Sequence, residues 1–351
     1  MTASNSNSNY IDKETRAAVA SAQDLIKETL AEIAPPEKAA AVVQDRVDEL
    51  APEHPCQIYV VLNPMAGQSD APHVRQVLQQ FFANIGWTYT LYETTGQENL
   101  GDLVRSMVDQ GYDLFVAIGG DGTISGVATG LVNTGMPLAI VPLGTGNALA
   151  RELDIPQDLE AALQLLLEQH TIIEVDVIQV EERFFALDVS VGFSSFMLRA
   201  TSRSSKRKFG RLAYVWAGLK QFIGFQPERF SFTVDGQAHR GRAAQLTVAN
   251  ASIMGGTPFR WGPHIRLDDG RLDLCLIRAR TMFDYLRLAW NLLLRREASD
   301  PNIGYLSMQE EAVIESKRPL PVEGDGEIIG QTPVRVQLVP HALRIVVPKT
   351  P

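Results

Sequence analysis

Between residues 56 and 153 the apolar positions form short unbroken runs that alternate with stretches of helical spacing. Unbroken apolar strands separated by amphipathic helices are typical of a parallel sheet that is covered on both faces. We therefore predict a doubly wound α/β domain over residues 55–170. Its predicted strands are Ile58–Leu62, Trp87–Tyr92, Leu114–Ile118 and Leu138–Val141, and its predicted helices are Pro72–Ile85, Leu100–Gln110, Ile124–Val132, Ala148–Leu153 and Leu159–Gln169.

After residue 170 the pattern changes to many short strand-like runs separated by turn signals. This texture predicts a mostly antiparallel β-sandwich domain over residues 171–351, whose last strands are candidates to return toward the first domain. One helix, Phe283–Leu294, interrupts it. The predicted strands are Ile172–Val180, Phe184–Val191, Phe230–Val234, Ala243–Ala249, Leu272–Ile277, Ala312–Glu315, Val334–Leu338 and Leu343–Val347.

Residues 1–54 belong to neither pattern. Met1–Asn9 is rich in Ser and Asn and lacks the apolar core of a signal peptide. Helical spacing follows in Glu14–Ile33 and Glu37–Leu50, with Pro35-Pro36 between them. We predict a helical extension with a disordered start, packed on the body of the protein or on a second copy in a homodimer.

The composition narrows the class of protein. Of 351 residues, 45% are hydrophobic and 21% are charged, and the net charge of −9 argues against nucleic acid as a main partner. Cys56 and Cys275 lie far apart in apolar runs, which predicts buried thiols in a reducing compartment. Because no apolar stretch reaches the length that spans a bilayer, we expect a soluble or peripheral protein, and the thiols favour the cytoplasm.

Three polar, glycine-containing loops follow strands of the predicted parallel sheet: Asn63–Gln68, Gly119–Thr123 and Pro142–Asn147. Ligands bind such sheets at the carboxyl ends of the strands, so we expect the loops to converge. Glycine lets the backbone approach an anion closely, and the N–H groups of a following helix point at it. Asp121 would repel a bare phosphate, so the loops predict a magnesium nucleotide. The spacing matches neither a Walker A loop nor the dinucleotide fingerprint.

In order and spacing, these loops resemble those of the bacterial diacylglycerol-kinase-type lipid kinases, which are related to sphingosine and ceramide kinases. The resemblance runs from residue 56 to about residue 348 and includes Val248-Ala249-Asn250, Gly255-Gly256, Leu267–Gly270 and Gly324-Asp325-Gly326-Glu327. It implies that the γ-phosphoryl group of Mg-ATP is transferred to a lipid alcohol, with diacylglycerol as the default acceptor. ATP would lie in a cleft between the two domains.

The resemblance also implies roles for single residues. Asp325 would be the general base, and Glu327 and Asp121 would serve Mg²⁺ and the nucleotide. Asp176 would lie near the active site, and Asp269 with Arg266 would mark a second, structural Mg²⁺ site. By residue type alone, Asp325 and Asp269 also fit simple turns and Asp176 also fits a solvent-facing position. The nucleotide pocket would be lined by Asn63, Pro64, Gly67, Thr94, Gly119, Gly120, Gly122, Thr123, Thr145 and Asn147.

Two departures from the family pattern keep other functions open. Gln68 stands where many members carry Lys, and Ala148 stands where many carry Asp. The alternatives are a small-molecule kinase such as an NAD kinase, or a nucleotide-binding regulator that has lost catalysis. The intact Asp325 and Glu327 argue against the regulator, and the Pro142–Asn147 loop argues against NAD kinase.

A basic segment stands out in this acidic chain. The stretch from Arg199 to Arg211 contains no acidic residue, and Leu212–Phe225 after it is rich in Leu, Trp, Phe and Ile. A cationic segment beside an aromatic, apolar helix suits an anionic membrane surface, so we predict transient association with the inner face of the membrane. The alternative is a solvated loop before a core helix. The residues expected to approach the lipid are Arg203, Lys206, Arg207, Lys208 and Arg211.

Overall fold

A computed structural model describes residues 56–67, 70–167, 170–195, 227–254, 259–262, 264–279, 281–294 and 300–349. Several predictions fall outside these ranges: the N-terminal extension over residues 1–54, Gln68, the basic segment Arg199–Arg211 with the apolar run Leu212–Phe225, and Gly255-Gly256. These remain predictions.

The first four strands form the predicted parallel sheet, in the order β2-β1-β3-β4. Successive strand residues alternate between two buried faces. In β1, Val60 packs with one helical layer through Leu78, whereas Tyr59 packs with the other layer through Val104. This alternation explains why the strands are apolar throughout. The strands are β1 (Gln57–Leu62), β2 (Thr88–Glu93), β3 (Leu114–Gly119) and β4 (Pro137–Pro142).

The helices between these strands cover both faces of the sheet. One of them, α3, begins at Asp121, earlier than predicted, because the glycine loop itself opens the helix on the extended residue Gly120. The helices are α1 (Ala71–Ile85), α2 (Leu100–Met107, continued by a 3-10 turn at Val108–Gln110), α3 (Asp121–Leu131), α4 (Ala148–Glu152) and α5 (Leu159–Gln164).

The remaining strands extend this sheet and build a second one. They are β5 (His170–Val180), β6 (Arg183–Phe185), β7 (Asp188–Gly192), β8 (Glu228–Val234), β9 (Gln237–Ala243), β10 (Gln245–Ala249), β11 (Leu272–Ile277), β12 (Ile303–Met308), β13 (Glu311–Ser316), β14 (Pro321–Gly324), β15 (Glu327–Gln331) and β16 (Val334–Pro348), with helix α6 (Met282–Leu293) after β11. The second sheet is antiparallel and has the order β12-β11-β10-β7-β14-β15.

Packing joins the two sheets, and the last strand of the chain extends the first sheet. The final strand, β16, pairs parallel to β4 and antiparallel to β5 and β13, so the first sheet continues beyond the α/β layers. One face of the second sheet packs on this continuation, where Val248 and Leu274 meet Phe232 and Ile314 in one buried cluster. The predicted class, a parallel α/β sheet followed by an antiparallel β-sandwich, is confirmed.

Two strand predictions were wrong, and both errors lie where a carboxylate binds the backbone. The predicted strand Phe184–Val191 is divided into β6 and β7, which lie in different sheets. The predicted strands Val334–Leu338 and Leu343–Val347 are one strand, β16, with an irregularity between Val339 and Leu343. Of the two thiols, Cys275 is buried as expected, but Cys56 is only half-buried.

Candidate active site

The three glycine loops meet at the carboxyl ends of β1, β3 and β4. The N–H of Asn63 donates to the carbonyl oxygen of Ile118 at 2.9 Å, and the N–H of Leu143 donates to the carbonyl oxygen of Gly119 at 2.8 Å. The Asn63 side-chain amide donates to Thr123 Oγ1 at 3.0 Å. These bonds link each loop to its neighbour, so the convergence predicted from the sequence is present.

Close backbone packing explains why these loops need glycine. Gly67 has a φ of 61°, and a Cβ built there would lie 2.0 Å from the carbonyl oxygen of Leu143. A Cβ on Gly144 would lie 2.7 Å from the Cα of Gly120. Any side chain at these positions would push the loops apart.

The predicted pocket residues differ in how accessible they are to a ligand. Gly67, Gly122 and Thr145 are exposed, whereas Thr123 and Asn147 are buried and Gly119 is covered by Thr123. Thr94 follows β2 and donates its N–H to the carbonyl oxygen of Leu62 at 2.9 Å. The remaining members, Asn63, Pro64 and Gly120, are half-buried. A nucleotide could therefore touch the exposed members directly, with the buried ones supporting them.

Asp121 organises the third loop. Its Oδ2 accepts the N–H of Asn147 at 2.9 Å, and its Oδ1 accepts the N–H of Ala148 at 2.6 Å. These N–H groups belong to the start of α4 and have no partner within that helix. The carboxylate thus fixes the Pro142–Asn147 loop against the Gly119–Thr123 loop. This structural role was not predicted from the sequence.

The far end of α4 is fixed to the second half of the chain. Glu152 is the last residue of α4, and its buried carboxylate accepts the N–H of Ser252 at 2.8 Å and the Ser252 hydroxyl at 3.0 Å. Arg260 Nη1 donates to the same carboxylate at 2.8 Å. Together with Asp121, Glu152 ties the loop helix to both sides of the interface between the two sheets.

The carboxylate of Asp325 accepts hydrogen bonds from three backbone N–H groups. It lies in the turn between β14 and β15 with a φ of 47°. Its Oδ2 accepts the N–H of Ala186 at 2.9 Å, and its Oδ1 accepts those of Leu187 and Asp188 at 3.0 and 3.1 Å. The break between β6 and β7 supplies these N–H groups, because a continuous strand would have used them in ladder bonds.

The pKa of Asp325 is raised to about 6: burial raises it most, the three backbone N–H groups lower it, and the negative charge of Asp121 adds a smaller increase. The charge of Asp121 therefore acts on Asp325, so the Gly119–Thr123 loop lies near the carboxyl group that the sequence suggested as the base. A carboxyl group with a pKa near neutrality is suited to accept a proton and release it again in each cycle.

Two acidic residues beside Asp325 were not predicted. Burial raises the pKa of Asp188 well above its ordinary value, and the charges of Glu323 and Asp325 raise it further. Glu323 accepts a hydrogen bond from Ser190 Oγ at 3.3 Å. Glu323 stands two residues before Asp325, near the end of β14, so its closeness along the chain was a signal. Asp188 gave no comparable signal, since it lay inside a predicted strand.

Glu327 lies apart from the buried acids. Its side chain is 61% exposed, and its carboxylate is 3.3 Å from Arg183 Nη2. The Arg183 guanidinium in turn lies over the ring of Phe185, 5.3 Å from its centroid. The predicted contact of Glu327 with Mg²⁺ or nucleotide would therefore involve an exposed carboxylate that already pairs with Arg183.

Asp176 is completely buried, so the solvent-facing alternative was wrong. Its Oδ2 accepts the N–H of Gly270 at 2.8 Å, and its Oδ1 accepts the N–H of His341 at 2.8 Å. Its carbonyl oxygen accepts the side-chain amide of Asn250, which also donates to the carbonyl oxygen of Ala186. Asp176 therefore lies behind the strand break that holds Asp325, where it supports the backbone.

At the predicted structural metal site, one carboxylate oxygen of Asp269 is available to a ligand. Asp269 Oδ2 accepts Arg271 Nε at 2.8 Å, whereas its buried Oδ1 has no hydrogen-bond partner within the described part of the chain. Arg266 is exposed and pairs with Asp268 instead. A lone buried carboxylate oxygen suits a hard cation, so the metal assignment of Asp269 and Arg266 stays a prediction.

Comparisons with known proteins agree with this architecture. Residues 57–180 match the family model of the diacylglycerol kinase catalytic domain, and residues 188–347 match the YegS C-terminal NAD kinase beta sandwich-like domain. The chain is 31% identical to a Klebsiella pneumoniae protein named "Probable lipid kinase YegS-like", covering 71% of this chain and 83% of the relative.

Two further matches cover nearly the whole length of the protein that is compared with this chain. A diacylglycerol kinase of Bacillus subtilis is 26% identical, with 83% of this chain and 96% of the relative covered. A crystal structure of a diacylglycerol kinase from Bacillus anthracis superposes with a TM-score of 0.67 at 24% identity, over 83% of this chain and 96% of that one. The structural likeness concerns the fold.

Proposed function

Because this chain belongs to the bacterial diacylglycerol-kinase-type lipid kinase family, we propose that it transfers the γ-phosphoryl group of Mg-ATP to the hydroxyl of a lipid alcohol. Diacylglycerol is the acceptor we favour, and phosphatidic acid is then the product. One observation supports the proposal: the Asp325 carboxyl is fixed by three N–H groups, has a pKa of about 6, and is influenced by the charge of Asp121 in the second glycine loop.

In the proposed reaction Asp325 accepts the proton of the acceptor hydroxyl while that oxygen attacks the γ-phosphorus. A new oxygen–phosphorus bond forms, the bond to ADP breaks, and the proton stays on Asp325 until solvent removes it. Phosphoryl transfer depends mainly on positioning and charge stabilisation. The glycine loops and the start of α3 would supply backbone N–H groups to the phosphates.

Magnesium, when bound with ATP, would neutralise charge on the β- and γ-phosphoryl oxygens. Within the described ranges, no group of three or more metal-binding side chains is placed to hold an ion. This fits Mg²⁺, which commonly uses one or two carboxylates together with substrate phosphates and water. Asp121 and Glu327 would hold it, as the family resemblance implies. Each Asp121 oxygen accepts a single backbone N–H and so keeps a lone pair for the ion.

The acceptor resides in a bilayer, so we propose that the protein works at the inner face of the membrane as a peripheral protein. In the described part of the chain, no helix combines the length and apolarity needed to cross a membrane. The basic segment Arg199–Arg211 remains a predicted contact with anionic lipid.

The proposal is tested by incubating the full chain with γ-labelled ATP, Mg²⁺, a panel of lipid alcohols and NAD. We expect label in phosphatidic acid, at a rate well above that for sphingosine or ceramide. Label in NADP would contradict the proposal, and so would ATP binding without transfer to any acceptor. Transfer to another lipid alcohol would retain the kinase assignment and replace diacylglycerol.

The pH dependence of kcat/KM for ATP, at saturating lipid, should show an acidic limb with an apparent pKa near 6. The base must be ionised to accept a proton, so activity falls as the pH drops through the raised pKa of Asp325. The matched variant Asp325→Glu should move the limb, whereas a limb caused by the titration of ATP itself would stay in place. A flat profile through this range would contradict the assignment of Asp325.

A further inference from the structure

Helix α6 is anchored on the second sheet by its inner face. Leu288 is buried in a cluster with Trp261, Cys275 and Ile277. Asn291 Nδ2 donates to Asp300 Oδ2 at 2.7 Å. At its start, the N–H of Thr281 donates to Asp284 Oδ2 at 2.9 Å, and the N–H of Asp284 donates to Thr281 Oγ1 at 3.2 Å. The helix is thus capped and held in one orientation.

The opposite face of α6 is apolar and exposed. Phe283, Leu286, Trp290 and Leu294 are 72%, 63%, 60% and 43% exposed. Their spacing of three and four residues places them on one side of the helix. We call these four residues the outer face of α6. They are four of the seven large exposed hydrophobic side chains within the described residues, and only they form a stripe.

This outer face lies on the Asp325 side of the second sheet. Four residues stand directly opposite one another on neighbouring strands of this sheet: Glu323 on β14, Ser190 on β7, Thr247 on β10 and Cys275 on β11. Direct partners in antiparallel strands point to the same face, so these side chains form one row. At one end of the row, Asp188 lies two residues before Ser190 on β7 and donates its N–H to Asp325 Oδ1 at 3.1 Å. At the other end, Cys275 lies under α6. Three strand spacings separate the ends of the row, about 14 Å.

A second copy of the chain is a poor fit for this surface. The stripe is about 16 Å long, from the helical rise, and about 10 Å wide, which gives an area near 160 Å². A stable protein interface needs about 800 Å² from each partner. A narrow stripe that combines Trp, Phe and Leu on an amphipathic helix is instead typical of insertion at a bilayer interface. In the sequence, Arg295 and Arg296 follow Leu294, which favours an anionic surface.

We propose that the outer face of α6 inserts into the interfacial region of an anionic bilayer. This inference rests on the proposed function. The contact would turn the Asp325 side of the second sheet toward the layer that contains the lipid alcohol. The acceptor would then reach the base without crossing bulk water.

The test compares the wild-type chain with the double variant L286S/W290S in co-sedimentation with vesicles of phosphatidylcholine and phosphatidylglycerol, without ATP. Loss of two interfacial side chains should weaken vesicle binding about tenfold or more. The matched control Ile172→Ser, which changes an exposed apolar residue on β5, should bind like the wild type. Phosphorylation of a dispersed short-chain diacylglycerol should be the same in all three proteins.

Equal vesicle binding by the double variant and the wild type would overturn the proposal. A wild-type dimer that the double variant dissociates, without vesicle binding, would assign the surface to a second copy and also overturn it. If the wild type does not bind vesicles and the double variant unfolds at a lower temperature than the wild type, another part of the same chain covers α6. The proposal would fail in that case too. Vesicle binding by a chain that phosphorylates nothing would retain this inference and remove the proposed function.

Discussion

The variant Asp325→Asn should phosphorylate lipid about 10²- to 10⁴-fold more slowly than the wild type, the usual contribution of a general base. An amide cannot accept the proton of the attacking hydroxyl at neutral pH. Its single oxygen can still accept the N–H groups of Leu187 and Asp188, so the turn between β14 and β15 should persist. The loss should therefore appear in kcat, with ATP binding nearly unchanged.

The measurement is steady-state kinetics for lipid phosphorylation, accompanied by direct titration of ATP binding and by thermal unfolding. The matched control is Glu327→Gln, which removes an exposed carboxylate two residues away. If Glu327 contacts Mg-ATP as proposed, its variant should weaken ATP use more than it slows the chemical step. A kcat for Asp325→Asn within tenfold of the wild type would remove Asp325 from the role of base.

The sequence was sufficient to predict the parts of the site that depend on local pattern. The unbroken apolar runs ending at Leu62, Ile118 and Val141 set the strands, and the polar residues after each run had to share one edge of the sheet. Gly67 and Gly144 signalled close backbone contact, which the neighbouring positions of Leu143 and Gly120 explain. These inferences required only short-range periodicity.

Contacts between distant parts of the chain could not be predicted in this way. The run from Phe184 to Val191 is apolar enough for one strand, and only the carboxylate of Asp325, far along the chain, explains its break at Ala186 and Leu187. The irregularity in β16 likewise depends on Asp176. In both cases a buried carboxylate binds N–H groups that a regular ladder would have used, and single-sequence periodicity does not report such pairs.

The variant Asp176→Ala should lower the free energy of unfolding by about 3–5 kcal/mol, a large share of the stability of an ordinary domain. Two charge-assisted hydrogen bonds are lost, each of about 1.5–3 kcal/mol, and the N–H groups of Gly270 and His341 lose their acceptor. Asp176→Asn keeps one accepting oxygen and should lose about half as much. The change in the free energy of unfolding is measured by urea unfolding, from the shift of the transition midpoint.

The matched control is Asp268→Ala, which removes a half-buried carboxylate from the turn that Asp176 supports. Its ion pair with Arg266 lies at the surface, so its loss should cost about 0–1 kcal/mol. The comparison also separates two roles for Asp176. If it supports the backbone behind Asp325, stability falls and KM for ATP changes little. An unchanged unfolding midpoint with a hundredfold lower kcat would instead assign Asp176 to the reacting groups, although the wild-type side chain is fully buried.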